Sequence, residues 1–375
     1  MTKYIPVNTP LLDGNERKYV SDCIETGWIS SEGQYVKDFE KNFSKIVDRK
    51  YACAVTNGTA ALDVSFDAIG LSEGDEVILP SFTIISCIHQ IIKSGATPIL
   101  VDSDINTWNM NVSEIESKIS KNTKAILIVH IYGITVDVDP ILQLAKKYNL
   151  IVIEDAAEVI GQTYKGRQCG SFGDISTFSF YPNKHITTGE GGMVVTNNKN
   201  IYDKVASLRN LCFQPKNRFV HERLGWNLRM TNIQAAIGVA QLESLDRFIK
   251  KKRLIGNLYD ELLSDTSLIT TPLKSTSYCE NIYWVYGILI SKEAGIKATN
   301  VMQKLHEKGI GTRPFFYPMH LQPVLKKLGF FKNEEYPVAK HLYDYGFYLP
   351  SGLGLEEADI EYVSKMLIDI LNETK

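Results

Sequence analysis

The sequence has no long apolar run, no excess of either charge and no paired-cysteine motif, and each absence removes a class of function. None of its apolar runs approaches the ~20 residues needed to cross a bilayer, and the N-terminal MTKYIPVNTPLLDGNERKYV lacks the apolar centre of a secretion signal. A cytoplasmic location with no membrane partner is therefore expected. Across 375 residues, 41 Lys+Arg face 43 Asp+Glu for a formal charge of −2, which gives no electrostatic ground for a nucleic-acid partner. The six cysteines (Cys23, Cys53, Cys87, Cys169, Cys212 and Cys279) are scattered without a C-x-x-C pair, against a zinc ribbon or a thioredoxin-like motif. Several sit in apolar runs and read as buried free thiols. No His/Cys/Asp cluster has metal-ligand spacing, so no metal is expected. The glycine-rich TTGEGG (187–192) lacks the G-x-x-x-x-G-K-[ST] order of a nucleoside-triphosphate loop. Repeats and low-complexity segments are missing as well.

What is present is a regular alternation. The length allows one large domain or two. YACAVT (51–56), EVILP (76–80), TPILVD (97–102), KAILIVHIYG (124–133) and LIVIED (150–155) read as short buried strands, with helical patterns such as TAALDVSFDAIG (59–70) and DPILQLAKKYN (139–149) between them. Buried strands spaced by helices predict an α/β fold with a mostly parallel sheet covered on both faces. A helical pattern from Thr231 to about Leu263 leads onward to strand-like NIYWVYGILI (281–290), helical NVMQKLHEKG (300–309) and a last helix from about Glu357 to Leu371. The expected division is a large domain over 1–245 and a smaller C-terminal α+β domain over 246–375.

Ligands of open α/β sheets collect at the carboxyl ends of the strands. LIVIED ends in Glu154 and Asp155, which alternation sends to opposite faces. YACAVT is followed by Asn57-Gly58-Thr59 at the start of a helix, where free N–H groups favour an anion such as phosphate. Lys184 stands in TFSFYPNKHITTGEGGMVVT (177–196), between an apolar run and a glycine-rich turn. Each feature alone has an ordinary explanation: a solvated strand end, a plain capped turn, a surface lysine. Together they are what pyridoxal phosphate needs, namely an amine for its aldehyde, a carboxylate for its ring nitrogen and a helix N-terminus for its phosphate.

TFSFYPNKHITTGEGGMVVT, VIEDAAEVIG (152–161) and GWNLRMTNIQAA (225–236) resemble the sugar-nucleotide aminotransferases, a family of fold-type-I pyridoxal phosphate enzymes. The resemblance runs from IPVNTPLL (5–12) and GWISSEGQYV (27–36) to RPFFYPMHLQP (313–323) and FYLPSGL (347–353). It implies that Lys184 forms the Schiff base and that Asp155 pairs with the pyridine nitrogen. Ser179, with the amides of Gly58 and Thr59, would contact the phosphate. Ala157 would lie against one ring face and Glu158 near the phenolic oxygen. Asn227 would reach the phosphate of a neighbouring subunit, so a homodimer with shared active sites is implied. Where many relatives carry an aromatic residue on the second ring face, this chain has Thr83-Ile84, and Ile84 would cover the ring by apolar contact. Ser31, Arg313, Tyr317 and His320 fall in segments that the resemblance puts near the sugar nucleotide. It further implies transfer of an amino group from glutamate to carbon 4 of a nucleotide-linked 4-keto-6-deoxy hexose, with GDP-, UDP- and dTDP-sugars all open and the GDP-linked 4-keto-6-deoxymannose first among them. Relatives that dehydrate the sugar at carbon 3 have histidine at the lysine position. Here that position is Lys184, with His185 one place later. A non-catalytic regulatory relative is the remaining alternative.

Overall fold

Short apolar runs become central strands when both faces of a sheet are covered, because every side chain is then buried whichever way it points. The computed structural model describes residues 4–214 and 216–373. Its main sheet is built from β1 (Tyr51–Val55), β2 (Glu76–Pro80), β3 (Thr97–Val101), β4 (Thr123–Val129) and β5 (Ile151–Asp155). After the small hairpin β6 (Thr163–Tyr164) and β7 (Arg167–Gln168), β8 (Ile175–Ser179) and β9 (Gly192–Thr196) complete it. The order is β1-β9-β8-β5-β4-β2-β3. Only β9 runs antiparallel to its neighbours; the other pairs are parallel. Along β4, Ile126 and Ile128 join one buried cluster while Ala125, Leu127 and Val129 join the other.

A second, antiparallel sheet follows in the order β10-β11-β13-β12, formed by β10 (Ile269–Thr270), β11 (Tyr286–Ile290), β12 (Arg313–Pro314) and β13 (Gly346–Leu349). Ile288, Ile290, Phe347 and Leu349 pack with Ile360, Val363 and Leu367 of the last helix, Glu357–Asn372. The α/β architecture is the one the alternating pattern predicts.

Two local readings differ from the structure. The helical pattern after Thr231 is two helices, Asn232–Glu243 and Leu245–Leu262, joined at Ser244 with φ −106° and ψ 2°. Its start is legible, since Thr231 and Gln234 form a reciprocal capping box. Its break is not: Leu242 before it and Leu245, Phe248 and Ile249 after it continue into one core. The second case is NIYWVYGILI, whose strand begins only at Tyr286. Tyr283 instead adopts φ 47°, and its N–H donates to Asn281 Oδ1 at 2.7 Å. Aromatic and β-branched residues favour a strand here, but tertiary contact with the turn at Gly133 overrides that preference. A Cβ on Gly133 would lie 2.7 Å from Tyr283 N, so only glycine permits the approach.

Candidate active site

The carboxyl ends of β5 and β8 and the helix Gly58–Ala68 surround a cavity of about 790 Å³. Gly58, Thr59, Ile84, Asp155, Ala157, Glu158, Ser179 and Lys184 all line it. These residues are separated by up to 126 positions in the chain, and the sheet brings them to one crevice.

The anion end of this crevice is built from backbone. Asn57 caps the helix Gly58–Ala68, its Oδ1 accepting from Ala60 N at 2.8 Å. A helix's own ladder supplies no partner for its first-turn amides, so those of Gly58 and Thr59 remain available at the cavity wall. Glycine is required at position 58 for space: a Cβ there would stand 2.8 Å from Ser179 Cβ. At Gly192 a Cβ would stand 2.3 Å from Asn57 O. Ser179 ends β8 against this turn, and Thr59 Oγ1 and Ser86 Oγ share a hydrogen bond of 2.7 Å beside it. Two amides and small hydroxyl side chains around a helix N-terminus suit a phosphate.

The opposite end carries the titrating groups. Asp155 is buried; its Oδ1 accepts from Ala157 N at 3.1 Å and its Oδ2 lies 3.5 Å from the Cys87 thiol. Burial raises its pKa, opposed by the Ala157 amide and by the charge of Lys184. A cation brought against this carboxylate therefore stabilises its ionised form. Glu158 is also buried and pushed upward by burial, while its Oε2 accepts from Tyr132 N at 2.9 Å. Tyr132 takes φ 55° to aim that amide. Burial lowers the pKa of Lys184, with Glu158 and Asp155 pulling it back up. A lysine of reduced basicity, a buried acid for a ring nitrogen and an amide cradle for a phosphate form the donor set of pyridoxal phosphate, and the residues fit that group.

A family model, that of the DegT/DnrJ/EryC1/StrS aminotransferase family, matches residues 10–368. The chain belongs to this family. Among curated relatives of this aminotransferase, the GDP-perosamine synthase of Escherichia coli O157:H7 is 44% identical over 99% of the chain and 100% of its own length. That of Caulobacter vibrioides is 41% identical over 98% of both. A putative sugar aminotransferase from Streptococcus pneumoniae, solved in PMP and PLP forms, superposes with a TM-score of 0.91 at 26% identity. The PMP form covers 99% of this chain and 98% of its own, the PLP form 99% and 100%.

Other residues singled out in the sequence lie elsewhere on the aminotransferase. Arg313, exposed at β12, lines a smaller cavity of about 200 Å³ that shares Tyr181, Asn183 and Tyr348 with the main one. Ser31, Tyr317, His320 and Asn227 line neither. His320 is buried, with Nδ1 2.8 Å from Ser81 Oγ and its ring against Tyr336. Asn227 is exposed, next to Trp226 and Leu228 of the cavity wall, and its backbone pairs with Asn210.

Glu154 does point away from Asp155, but into protein rather than water. It accepts from Gly170 N at 2.6 Å, Phe172 N at 3.0 Å, Ser176 Oγ at 2.8 Å and His130 Nε2 at 3.1 Å. His130 Nδ1 accepts from Val136 N, which leaves the ring proton on Nε2. His130, Glu154 and Cys169 bring potential ligand atoms within 4.8 Å of one another, yet the carboxylate is fully engaged and the group reads as a satisfied polar network. The residue that sequence reasoning missed is Trp284. Its ring lies beneath Lys184 Nζ, 3.7 Å from the centroid. In the sequence it is one more aromatic in an apolar stretch, with nothing to separate it from core.

Proposed function

We propose that this aminotransferase moves an amino group from glutamate to carbon 4 of a GDP-linked 4-keto-6-deoxy hexose, giving GDP-perosamine, with pyridoxal phosphate as cofactor. The convergence of Lys184, Asp155 and the Gly58–Ser179 cradle in one cavity carries the chemistry. Full-length relatives named GDP-perosamine synthase support the acceptor. When bound, the cofactor supplies an aldehyde that carries the amino group and a ring that accepts electrons. Gly58, Thr59 and Ser179 would hold its phosphate, Ala157 and Ile84 its two faces, and Glu158 its polar edge. Asp155 would keep a proton on the ring nitrogen by opposite charge. Lys184 would hold the aldehyde and, as a free amine, would serve as the base and acid that moves the proton off the donor carbon. Burial lowers its basicity, which favours that exchange. His185 cannot take this part from its position: it is buried, with Nε2 3.2 Å from Ile282 O, and does not line the cavity.

We further propose a cytoplasmic homodimer, with Asn227 completing the partner's phosphate site, Ser31, Arg313 and Tyr317 serving the sugar nucleotide, His320 supporting that segment from its buried position beside Ser81 rather than touching the ligand, and a domain division at about residue 245. Support for a second copy comes from Trp226, which lines the cavity yet is 42% exposed, and from Leu224, two residues before it in the chain and 93% exposed. Large apolar side chains grouped at a surface mark an interface. The deciding experiment is a panel of GDP-, UDP- and dTDP-linked 4-keto-6-deoxy sugars with glutamate as donor. Amino transfer confined to the UDP or dTDP acceptors would overturn the GDP assignment, and no transfer to any would overturn the enzymatic reading.

A further inference from the structure

Lys184 has to be held in two situations, attached to the cofactor and free. The free amine lies over Trp284, with Nζ 3.7 Å from the ring centroid. That ring is fixed from several sides. Its Nε1–H donates to the carbonyl of Asn183, the residue before the lysine, at 2.7 Å. Its own carbonyl accepts from Lys252 Nζ at 2.8 Å, and the same nitrogen reaches the Ser351 carbonyl. A Cβ on Gly133 would lie 2.9 Å from Trp284 N, so the turn packs directly on the tryptophan backbone. Trp284 is 4% exposed and still forms part of the cavity wall.

We propose that Trp284 is a positioning residue for Lys184: its indole face is the dock that holds the free amine in the cavity while the lysine is detached from the cofactor. The inference rests on the transaminase reading for its purpose. An aromatic face attracts an ammonium group, and the attraction grows when water is excluded. The ring therefore favours the charged amine, alongside Glu158, Asp155 and Cys87, while burial disfavours it. Docking and protonation are linked: a proton on Nζ strengthens its hold on the ring, and its loss frees the amine to move. The bond from the indole N–H to Asn183 ties this dock to the turn that carries the lysine.

The test measures how readily Lys184 is acylated across a pH series in the full chain freed of cofactor, reading the Lys184 peptide by mass spectrometry. Trp284→Phe keeps an aromatic face, whereas Trp284→Leu and Trp284→Met keep apolar bulk without one. The Phe variant should retain most of the wild-type titration midpoint. The Leu and Met variants should shift it down by about one pH unit, the range expected for a desolvated cation–aromatic contact. Circular dichroism selects the folded variants, and either non-aromatic one suffices. A midpoint in Leu or Met that equals or exceeds that of wild type overturns the proposal. Because this readout needs neither donor nor keto-sugar, failure of the substrate panel and failure of the dock are separate results.

Discussion

Both oxygens of Asp155 are engaged, one with the Ala157 amide and one near the Cys87 thiol, so the carboxylate is held in a fixed plane. Asp155→Asn keeps its size and loses the charge that protonates the ring nitrogen. Cofactor should still bind through Lys184 and the phosphate cradle, with near-normal colour, while amino transfer falls at least ~100-fold, equivalent to about 2.7 kcal/mol. Steady-state kinetics beside an absorption spectrum check this, and equal loss of colour and rate would contradict it. Its neighbour Glu154 answers to a different force. From the sequence Glu154→Gln reads as a harmless control, because it faces away from the cofactor. The buried carboxylate accepts four hydrogen bonds, two of them from backbone amides, and a carboxamide would turn an NH₂ toward donors. Glu154→Gln should lower unfolding free energy by about 3 kcal/mol in urea titration, the usual cost of breaking a buried charged network. The face of each acid follows from strand alternation, whereas the burial of Glu154 depends on Gly170 and Phe172, which no local pattern ties to it.

At the scale of elements, the start of helix Gly58–Ala68 illustrates a conflict between fold and site. Helix propensity alone favours alanine over glycine by about 1 kcal/mol. The contact with Ser179 forbids it, since the added Cβ would come to 2.8 Å. Gly58→Ala should therefore weaken cofactor retention by about tenfold or more, measured by equilibrium dialysis, without the stability gain that propensity promises. The helix Leu245–Leu262 carries another tension in Lys252, buried with two carbonyls for partners. Burial lowers its pKa from 10.5 to about 7. Between these values the unfolded chain keeps the proton and the folded chain releases it. Lys252's contribution to stability thus rises with pH above about 7 and is lost as pH falls toward 7. Compared with Lys252→Met, the wild type should gain about 1 kcal/mol per pH unit across that window in urea unfolding. A constant difference would show that Lys252 stays charged in the fold.

For the whole molecule, the main question is what covers the apolar rim beside the cavity. If Asn227 completes the partner's phosphate site, mixing Lys184→Ala and Asn227→Asp chains and allowing subunit exchange should restore part of the activity. One site of each mixed dimer then has both native residues. Replacing Asn227 by Asp sets a carboxylate beside the phosphate, where like charges repel. Restored activity in the mixture, with sedimentation as a dimer, is the expected result. Demonstrated exchange without recovery, when Asn227→Asp alone is impaired, would assign Asn227 to its own subunit.

The sequence by itself determined the α/β alternation, the strand ends that carry ligands, and the three chemical groups, since period, turn residues and residue type are local properties. The family resemblance rested on contiguous motifs and was legible for the same reason. Tertiary structure alone decided the break at Ser244, the late start of β11, the burial of Glu154 and the tryptophan under Lys184. Each depends on contacts between segments far apart in the chain. Trp284 meets Lys184 across 100 residues of chain, with Gly133 packed directly on the backbone of Tyr283 and Trp284.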